Sequence, residues 1–546
     1  MAQAPSVLTF VGFLERMSLL DSAYWLSTAY ADLTSEDYRA TLAMYFTPPP
    51  IANRLMDDLE NAGARFEKDR FIDPAAGGAA FLALVASRMR EKLQRAGYGA
   101  AEILRHAESH LAGYDVEPTL CRLSIHFLRL VFYAEICKTQ REPKFTVTCA
   151  DSLMATRGVH GAYDVVICNP PFRKLKTGEA ARYAPAYSTV MQGQSNLYAL
   201  FIDLTIKLTR RGGLVGLVTP TSFLSGQSFG AVRTHLLTNT RVRHIGVVSE
   251  RERVYLDVQQ ETALTVLSIE PQRHKQVCTP DVSVVDRIGH YVGIGRCPLP
   301  NSGTSWPLAR ETGDISLIRG ASKSPFRLAD YGYSPVVGCF VWNRDTRPAY
   351  LTIAQVPGAR RDKVVPLLWS SDIRQSGLLR FDQNTSAHGQ HRYVDFDGVE
   401  HDAVRRCQGV ILQRVTSVEQ PLRLVGAVVS ERFLRTHGGF VGENHVVILE
   451  WVNKDVGIAP QTLLRVLRSH TIDRYFRCIS GSSNVSVFEL QQLPLPDPSL
   501  LKKRLDRGED VEHATAALLQ DSEPQAAGPS NAKTRMRSPK CDGIAA

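Results

Sequence analysis

The sequence lacks several features on which whole classes of protein depend. No apolar run approaches the roughly 18–20 residues that a membrane-spanning helix requires. Its ten cysteines include no pair with the C-x-x-C to C-x-x-x-x-C spacing of a zinc site. The mildly apolar stretch Pro5–Leu14 has no basic segment before it, so it is a poor secretory signal. We therefore expect a cytoplasmic protein with free thiols, no metal and no membrane association.

The composition is that of an ordinary globular protein with a mild basic excess. Of the 546 residues, 44% are hydrophobic and 22% are charged, which suits several packed domains. The net charge of +9 is compatible with a nucleic acid partner without requiring one. Between residues 291 and 500 the basic residues are 21 arginines and 3 lysines. The planar arginine fork suits guanine edges and phosphates, and a GC-rich codon bias explains the same composition equally well.

The pattern along the chain predicts an α/β domain followed by a different second domain. From about residue 30 to 270, strand and helix patterns alternate, which indicates a mostly parallel sheet. The segment Thr262–Leu267 follows the strand pattern at Ile245–Val248 without a helical crossover, which favours an antiparallel addition to that sheet. Four regions are predicted: a helical extension (1–30), the sheet domain (31–274), a mixed α/β, β-rich domain (275–500) and a disordered tail (501–546).

The most informative segment is Asp164–Phe172, in which a buried strand runs into the tetrapeptide N-P-P-F. In an open α/β sheet, ligands bind at the carboxyl ends of such strands. The Asn169 side-chain oxygen and the Pro170 carbonyl can accept both N–H bonds of an exocyclic amine and aim its lone pair at an electrophile. Pro170 and Pro171 stiffen the loop, and Phe172 can stack on the base. The alternative interpretation is that N-P-P-F is only a turn that ends the strand and has no role in catalysis.

Acidic residues end the three preceding strand patterns. Asp73 stands before a small-residue turn with Gly77 and Gly78, where the backbone can approach a ligand near a helix N-terminus. Asp115 is placed to bind ribose hydroxyls, and Asp151 to accept from an adenine amino group. The turn is not the G-x-G-x-x-G pattern, so a nicotinamide dinucleotide is disfavoured. Each acid alone is an ordinary loop residue, but their succession predicts one ligand site.

Together these motifs resemble the N6-adenine DNA methyltransferases of bacterial type II restriction–modification systems, specifically the γ class of Taq-type enzymes. Tyr45–Ile51 is similar to the N-terminal cofactor motif of that family, and Val254–Ala263 to the aromatic motif that receives a flipped base. The resemblance implies a Rossmann-like S-adenosylmethionine-dependent methyltransferase sheet (31–274) and a C-terminal target-recognition domain (275–500). One departure is Ala79, where many relatives have glycine.

The resemblance also implies roles for individual residues. Thr47 and Asp73 would hold the methionine moiety of S-adenosylmethionine. Asp115 would bind its ribose, Val116 would contact the adenine face and Asp151 would bind the adenine amino group. The implied cofactor residues are Thr47, Asp73, Pro74, Ala75, Gly77, Asp115, Val116, Asp151 and Asn169. The implied catalytic residues are Asn169, Pro170, Pro171, Phe172 and Tyr255.

The implied reaction is direct methyl transfer to N6 of an adenine that is flipped out of double-stranded DNA. Phe172 and Tyr255 would stack on the two faces of the extruded base. S-adenosyl-L-methionine is the expected methyl donor, without a metal. The expected partners are double-stranded DNA and a separate cognate restriction endonuclease, and the chain is expected to be a monomer.

Alternative functions stay open at this point. N-P-P-[YF] also occurs in methyltransferases of ribosomal RNA guanine N2 and of protein glutamine, although the long second domain favours DNA. Glu142–Lys144 is an E-x-K fragment of the kind found in nucleases, but it lies between predicted strands. A non-catalytic DNA-binding relative is disfavoured by the intact Asn169–Phe172. Gln413–Ser417, Glu443–His445 and Ser480–Asn484 resemble recurring features of the recognition region.

Overall fold

The computed structural model of the protein describes residues 5–248, 261–270, 277–300, 303–381, 391–417, 420–480 and 483–520. Within them the helices are, in chain order, α1 (Pro5–Leu14), α2 (Leu19–Leu33), α3 (Glu36–Leu42), α4 (Pro49–Ala62), α5 (Ala80–Arg95), α6 (Ala100–His110), α7 (Pro118–Val131), α8 (Tyr133–Thr139), α9 (Ser152–Ala155), α10 (Thr177–Tyr187), α11 (Leu197–Leu208), α12 (Ser222–Ser225), α13 (Gly230–Asn239), α14 (Asp314–Lys323), α15 (Glu431–His437), α16 (Pro460–Leu467), α17 (His470–Ile479), α18 (Val487–Gln492), α19 (Pro498–Asp506) and α20 (Val511–Leu519).

The strands within the same residues are β1 (Phe71–Asp73), β2 (Leu111–Asp115), β3 (Thr146–Cys149), β4 (Tyr163–Cys168), β5 (Thr209–Pro220), β6 (Arg241–Val248), β7 (Thr262–Ser268), β8 (Asp281–Val285), β9 (Tyr291–Arg296), β10 (Tyr333–Val337), β11 (Ala349–Tyr350), β12 (Val364–Leu368), β13 (Tyr393–Asp395), β14 (Gly409–Gln413), β15 (Gly426–Val429), β16 (Val441–Gly442) and β17 (Val446–Trp451). Short 3₁₀ turns lie at Arg157–Val159, Ser188–Val190, Gln227–Phe229, Leu328–Tyr331, Ile353–Gln355, Gly358–Arg360 and Ser370–Asp372. Among the described residues, no helix combines the length and apolarity needed to cross a membrane.

The first domain is built on one large sheet with the strand order β3-β2-β1-β4-β5-β7-β6-β8-β9. The five neighbouring strands β3, β2, β1, β4 and β5 pair in parallel. Strand β7 runs antiparallel to both β5 and β6. This arrangement confirms the predicted Rossmann-like sheet and the antiparallel addition at Thr262–Leu267. Strand β8 pairs with β6 in parallel, and β9 pairs with β8. The sheet therefore extends to Arg296, past the expected boundary at residue 274, because β6 offers an open edge whose main-chain groups β8 satisfies.

Both faces of this sheet are covered by helices. Helices α4, α5 and α7 pack on one face, and α11 and α13 pack on the other. In β4, Val165 and Ile167 pack into the core under α4, α5 and α7, whereas Val166 and Cys168 pack into the core under α11 and α13. A strand buried on both faces reads as a continuous apolar run rather than an alternating one. This burial explains the unbroken run before Asn169 and places that residue at the carboxyl end of a central strand.

The second domain contains two smaller sheets and a group of helices. Their strand orders are β10-β17-β14-β15 and β11-β13-β12-β16, in agreement with the predicted mixed α/β, β-rich character. One hydrophobic core runs from the α11 face of the first domain into the second. Trp306 is fully buried at this junction and meets the ring of Phe223 edge-on at 6.1 Å. The two domains therefore share part of their core.

The chain differs from expectation after residue 501. Helices α19 and α20 continue to Leu519, and α20 packs on α14, α16 and α17. Leu501, Val511, Ala514 and Leu519 are buried in the shared core. An apolar stripe at helical spacing drives this docking, and the alanine-rich composition concealed it. The remainder of the expected tail, residues 521–546, lies outside the described residues.

A charged contact also joins the two domains. Arg310 donates to Glu261 through both terminal nitrogens, with 2.9 Å between Arg310 Nη2 and Glu261 Oε2. The Glu261 side chain is 3% exposed and that of Arg310 is 27% exposed. Glu261 directly precedes β7, so this pair ties the central reversed strand to the segment before α14. Removing one member of such a pair leaves a buried charge without compensation.

We predict that Arg310→Ala lowers the free energy of unfolding by about 3 kcal/mol, because it leaves the buried Glu261 carboxylate without a counter-charge. Urea unfolding followed by circular dichroism measures the change. The matched control is Arg95→Ala, which breaks an exposed pair with Glu91 and should cost less than about 1 kcal/mol. Equal losses in the two variants would contradict the structural role of Arg310.

Candidate active site

A cavity of about 340 Å³ opens at the carboxyl ends of β1, β2, β3 and β4. It lies where the chain leaves β1 between two parallel neighbours, which is the position at which doubly wound sheets bind ligands. The residues implied as cofactor-binding all line it: Thr47, Asp73, Pro74, Ala75, Gly77, Asp115, Val116, Asp151 and Asn169. The structure thus brings all nine residues to one cavity.

The side-chain amide of Asn169 is oriented by two hydrogen bonds. Its Nδ2 donates to the Tyr45 carbonyl at 3.0 Å and to Thr47 Oγ1 at 3.0 Å. Its Oδ1 is buried and has no hydrogen-bond partner among the described residues. Buried polar atoms are almost always paired, so an orphaned acceptor at a cavity is a signal of a missing donor. The amide therefore offers a pre-aimed acceptor to a ligand N–H group.

The rest of the N-P-P-F loop divides between the cavity and the core. Pro171 lines the cavity, whereas Pro170 and Phe172 are not among its lining residues. The Phe172 ring meets the ring of Tyr198 edge-on at 6.1 Å, and Tyr198 stacks on Phe229. Stacking of Phe172 on a target base stays a prediction. Tyr255, the other implied stacking residue, lies outside the described residues.

Two acids line the cavity, of which Asp73 is buried and Asp115 is partly buried. Asp73 is 1% exposed, and its Oδ1 accepts from the Ala75 amide at 2.9 Å. Asp115 accepts from the Gly77 amide at 2.8 Å and from the Glu117 amide at 2.9 Å. Burial, together with the charge of Asp115, raises the pKa of Asp73 to about 8. Burial also raises the pKa of Asp115.

The loop between β1 and α5 depends on a glycine. Gly77 has φ +54, and a Cβ at this position would lie 3.0 Å from Cε1 of Phe46. Only glycine combines that conformation with so close an approach. Ala79, the departure noted in the sequence, adopts φ 70, so this chain forms a left-handed backbone there without glycine. Pro74, Ala75 and Gly77 of this loop thereby line the cavity next to the N-terminus of α5.

Asp151 binds three groups of its surroundings. Its Oδ1 accepts from the Leu153 amide at 3.1 Å and so caps α9. Its Oδ2 accepts from the Tyr183 hydroxyl at 2.9 Å and lies 3.0 Å from Arg182 Nη2. Tyr183 and Arg182, on α10, line the cavity with Arg173. Sequence reasoning missed these three residues, because a tyrosine and two arginines near a helix resemble ordinary surface.

The sheet order and the cavity at its carboxyl edge agree with the predicted Rossmann-like methyltransferase sheet. Residues 124–255 match the family model described as Eco57I restriction-modification methylase. The solved structure of the Type IIL restriction-modification enzyme MmeI in complex with DNA matches with a TM-score of 0.53. The match has 10% identity and covers 94% of this chain and 75% of that one. This likeness shows the fold alone.

Curated relatives agree with this class. The chain is 24% identical over 344 residues to the Type II methyltransferase M.BsuBI of Bacillus subtilis, covering 61% of this chain and 65% of that one. It is 24% identical over 359 residues to the Type II methyltransferase M.PstI of Providencia stuartii, covering 64% of this chain and 68% of that one. The match thus spans just under two thirds of M.BsuBI. The predicted resemblance to restriction–modification methyltransferases is confirmed.

We predict that Asp73→Asn stabilises the ligand-free protein increasingly as the pH rises. Asp73 keeps its proton to about pH 8 when folded, whereas the unfolded chain releases it near pH 4. Between these values the unfolded state binds fewer protons, so the carboxyl destabilises the fold more as the pH increases. The difference in unfolding free energy between variant and wild type should grow by at least about 1 kcal/mol from pH 5 to pH 8.

Urea unfolding at several pH values measures this difference. The control is Asp402→Asn, at an exposed turn position of the second domain, which should follow the wild-type profile. A stability difference that does not change with pH would contradict the assignment to Asp73.

Proposed function

We propose that this chain transfers a methyl group from S-adenosylmethionine to N6 of adenine in double-stranded DNA, as the modification enzyme of a restriction–modification system. The observation that carries the proposal is the Asn169 amide, held by Tyr45 and Thr47 with its Oδ1 buried and unpaired. An exocyclic amine supplies the N–H donor that this oxygen lacks. The matched relatives support the same class of reaction.

The cavity fits the cofactor by the chemistry of its lining. Its volume lies within the roughly 300–1,000 Å³ of small-molecule sites. The buried Asp73 carboxyl lacks a cationic partner among its hydrogen bonds in the described residues, and an α-ammonium group would provide one. Asp115 offers a carboxylate to ribose hydroxyls. Val116 is apolar yet 51% exposed at the cavity, as a residue that covers a purine face would be.

Asn169 acts on the substrate amine by positioning. S-adenosylmethionine, when bound, supplies a methyl group activated on its sulfonium. The adenine amine is a poor nucleophile because its lone pair is delocalised into the ring. Asn169 Oδ1 accepts one of its N–H bonds, and the Pro170 carbonyl, which lies outside the lining of the cavity, is the proposed acceptor of the other. The two bonds would draw the nitrogen toward tetrahedral geometry and aim the lone pair. The methylated amine then loses one proton to solvent. No acidic or basic side chain therefore has to deprotonate the amine before the methyl transfer.

The second domain would bind the duplex. Its arginine-rich composition suits phosphate and guanine contacts. Extrusion of the adenine makes N6 accessible, and Tyr255 is the proposed stacking partner outside the described residues. A separate restriction endonuclease and a monomeric state belong to the same proposal. The preference for adenine rests on the N-P-P-F resemblance, because the N4 amine of cytosine poses the same chemical problem.

We predict that Asn169→Ala lowers methyl transfer to DNA by about 100- to 1,000-fold, the size of effect seen when one preorganised polar group is removed. DNA affinity in a gel-shift assay should change little. The matched control is Asn239→Ala at the end of α13, outside the cavity, which should keep wild-type activity. Near-normal turnover of Asn169→Ala would overturn the proposed role.

Single-molecule sequencing of DNA from cells that express the chain identifies the modified base and its sequence context. N6-methyladenine at a defined site supports the proposal. N4-methylcytosine would correct the base but keep the reaction class. Unmodified DNA, together with methylation of ribosomal RNA or protein in extracts, would replace DNA as the substrate.

We predict a smaller effect for Thr47→Val, which removes one of the two acceptors of Asn169 Nδ2 and keeps the shape of the side chain. The amide keeps its bond to the Tyr45 carbonyl but is less strictly oriented. The rate of methyl transfer should fall by about tenfold, the equivalent of one hydrogen bond. Single-turnover kinetics measure this rate, and a loss as large as that of Asn169→Ala would show that Thr47 does more than orient the amide.

A further inference from the structure

Side chains of helix α10 bind the turn that carries Asp151. The Tyr183 hydroxyl donates to Asp151 Oδ2 at 2.9 Å, and Arg182 Nη2 lies 3.0 Å from the same oxygen. One turn later, the Tyr187 hydroxyl donates to the Leu153 carbonyl at 2.8 Å. Tyr183 and Tyr187 are 6% and 2% exposed, so both hydroxyl groups are held by packing. Three side chains of one helix therefore bind one short turn.

These contacts leave the two oxygens of Asp151 unequal. A carboxylate oxygen accepts about two hydrogen bonds. Oδ2 accepts from the Tyr183 hydroxyl and forms an ion pair with the Arg182 guanidinium, so a donor and a cation already face this oxygen. Oδ1 receives the Leu153 amide and keeps one position. The carboxylate can thus accept a ligand N–H through Oδ1, in one orientation set by the α9 cap and the tyrosine.

Helix α10 is itself anchored to the catalytic loop. Arg173, which follows the N-P-P-F motif, pairs with Glu179 through two bonds of 2.7 Å. Glu179 also accepts from the Lys176 amide at 3.0 Å, which caps the start of the helix. The Arg173 guanidinium holds the pKa of Glu179 near 2, so this anchor stays charged at neutral pH. The segment after Asn169 is therefore linked to Asp151 through the contacts of helix α10.

We propose that Tyr183 and Arg182 are positioning residues that present Asp151 Oδ1 to the exocyclic amino group of the cofactor purine. This arrangement selects adenine over a 6-oxopurine. The inference rests on the proposed function, since it takes a purine-bearing methyl donor as the ligand. A 6-oxo group would place an acceptor against the remaining acceptor of Asp151, and two acceptors without a proton between them repel. Tyr183 supplies most of the constraint, because the Arg182 side chain is 56% exposed and exposed ion pairs contribute little.

Binding of S-adenosylhomocysteine and S-inosylhomocysteine, measured by isothermal titration calorimetry, tests the inference without turnover. Wild-type protein should bind the adenine compound at least about tenfold more tightly. Tyr183→Phe should weaken its binding by about tenfold, the effect of one hydrogen bond to a charged group, and should bring the two affinities close together. Asp151→Asn should reverse the preference, because an amide can donate to the 6-oxo group.

The matched control is Tyr187→Phe, the same substitution on the same helix, which removes the bond to the Leu153 carbonyl and keeps both contacts of Asp151 Oδ2. It should keep the wild-type ratio of affinities, whatever its effect on thermal stability. A Tyr183→Phe variant that keeps the wild-type ratio overturns the positioning role while the proposed function stands. Wild-type protein that binds neither compound overturns the proposed function itself.

Discussion

The parallel pairing of β1 with β2 on one side and with β4 on the other is the constraint on which the site depends. Because parallel strands end at the same edge, Asp73, Asp115 and Asn169 meet there although they are far apart in the sequence. The cavity opens at this edge of the sheet, where such folds bind their ligands. Strand β7 runs antiparallel between β5 and β6, and Glu261, which precedes it, pairs with Arg310 of the second domain.

The polar side chains at this edge orient one another through hydrogen bonds. The atoms that those bonds leave unpaired are the ones available to a ligand. Thr47 and the Tyr45 carbonyl take the amide nitrogen of Asn169, so its oxygen faces a ligand. The Gly77 amide and Asp115 join the first two strand ends. Asp73 remains a buried acid whose pKa is raised. Burying such a group costs stability, and perturbed acids of this kind are concentrated at functional sites. A ligand that carries a cation at Asp73 would offset that cost.

Local sequence patterns were sufficient where a residue acts through its position at the end of a strand. Asp73, Asp115, Asp151 and Asn169 follow short apolar runs, and a parallel sheet places such ends together without further information. The same reasoning failed where contacts come from distant packing. Composition made 501–546 look disordered, yet its first part docks α19 and α20 on the core through a few apolar side chains.

The sequence by itself determined the parallel part of the sheet, the order of the motifs and the acids at the strand ends that line the cavity, because these depend on period, turn chemistry and strand ends. The tertiary structure alone decided how those residues are oriented. It turned Phe172 toward Tyr198 and extended the sheet to Arg296. It also brought Tyr183 onto Asp151. Such pairings depend on which helix packs over which turn, and nothing in the local pattern of either segment specifies that contact.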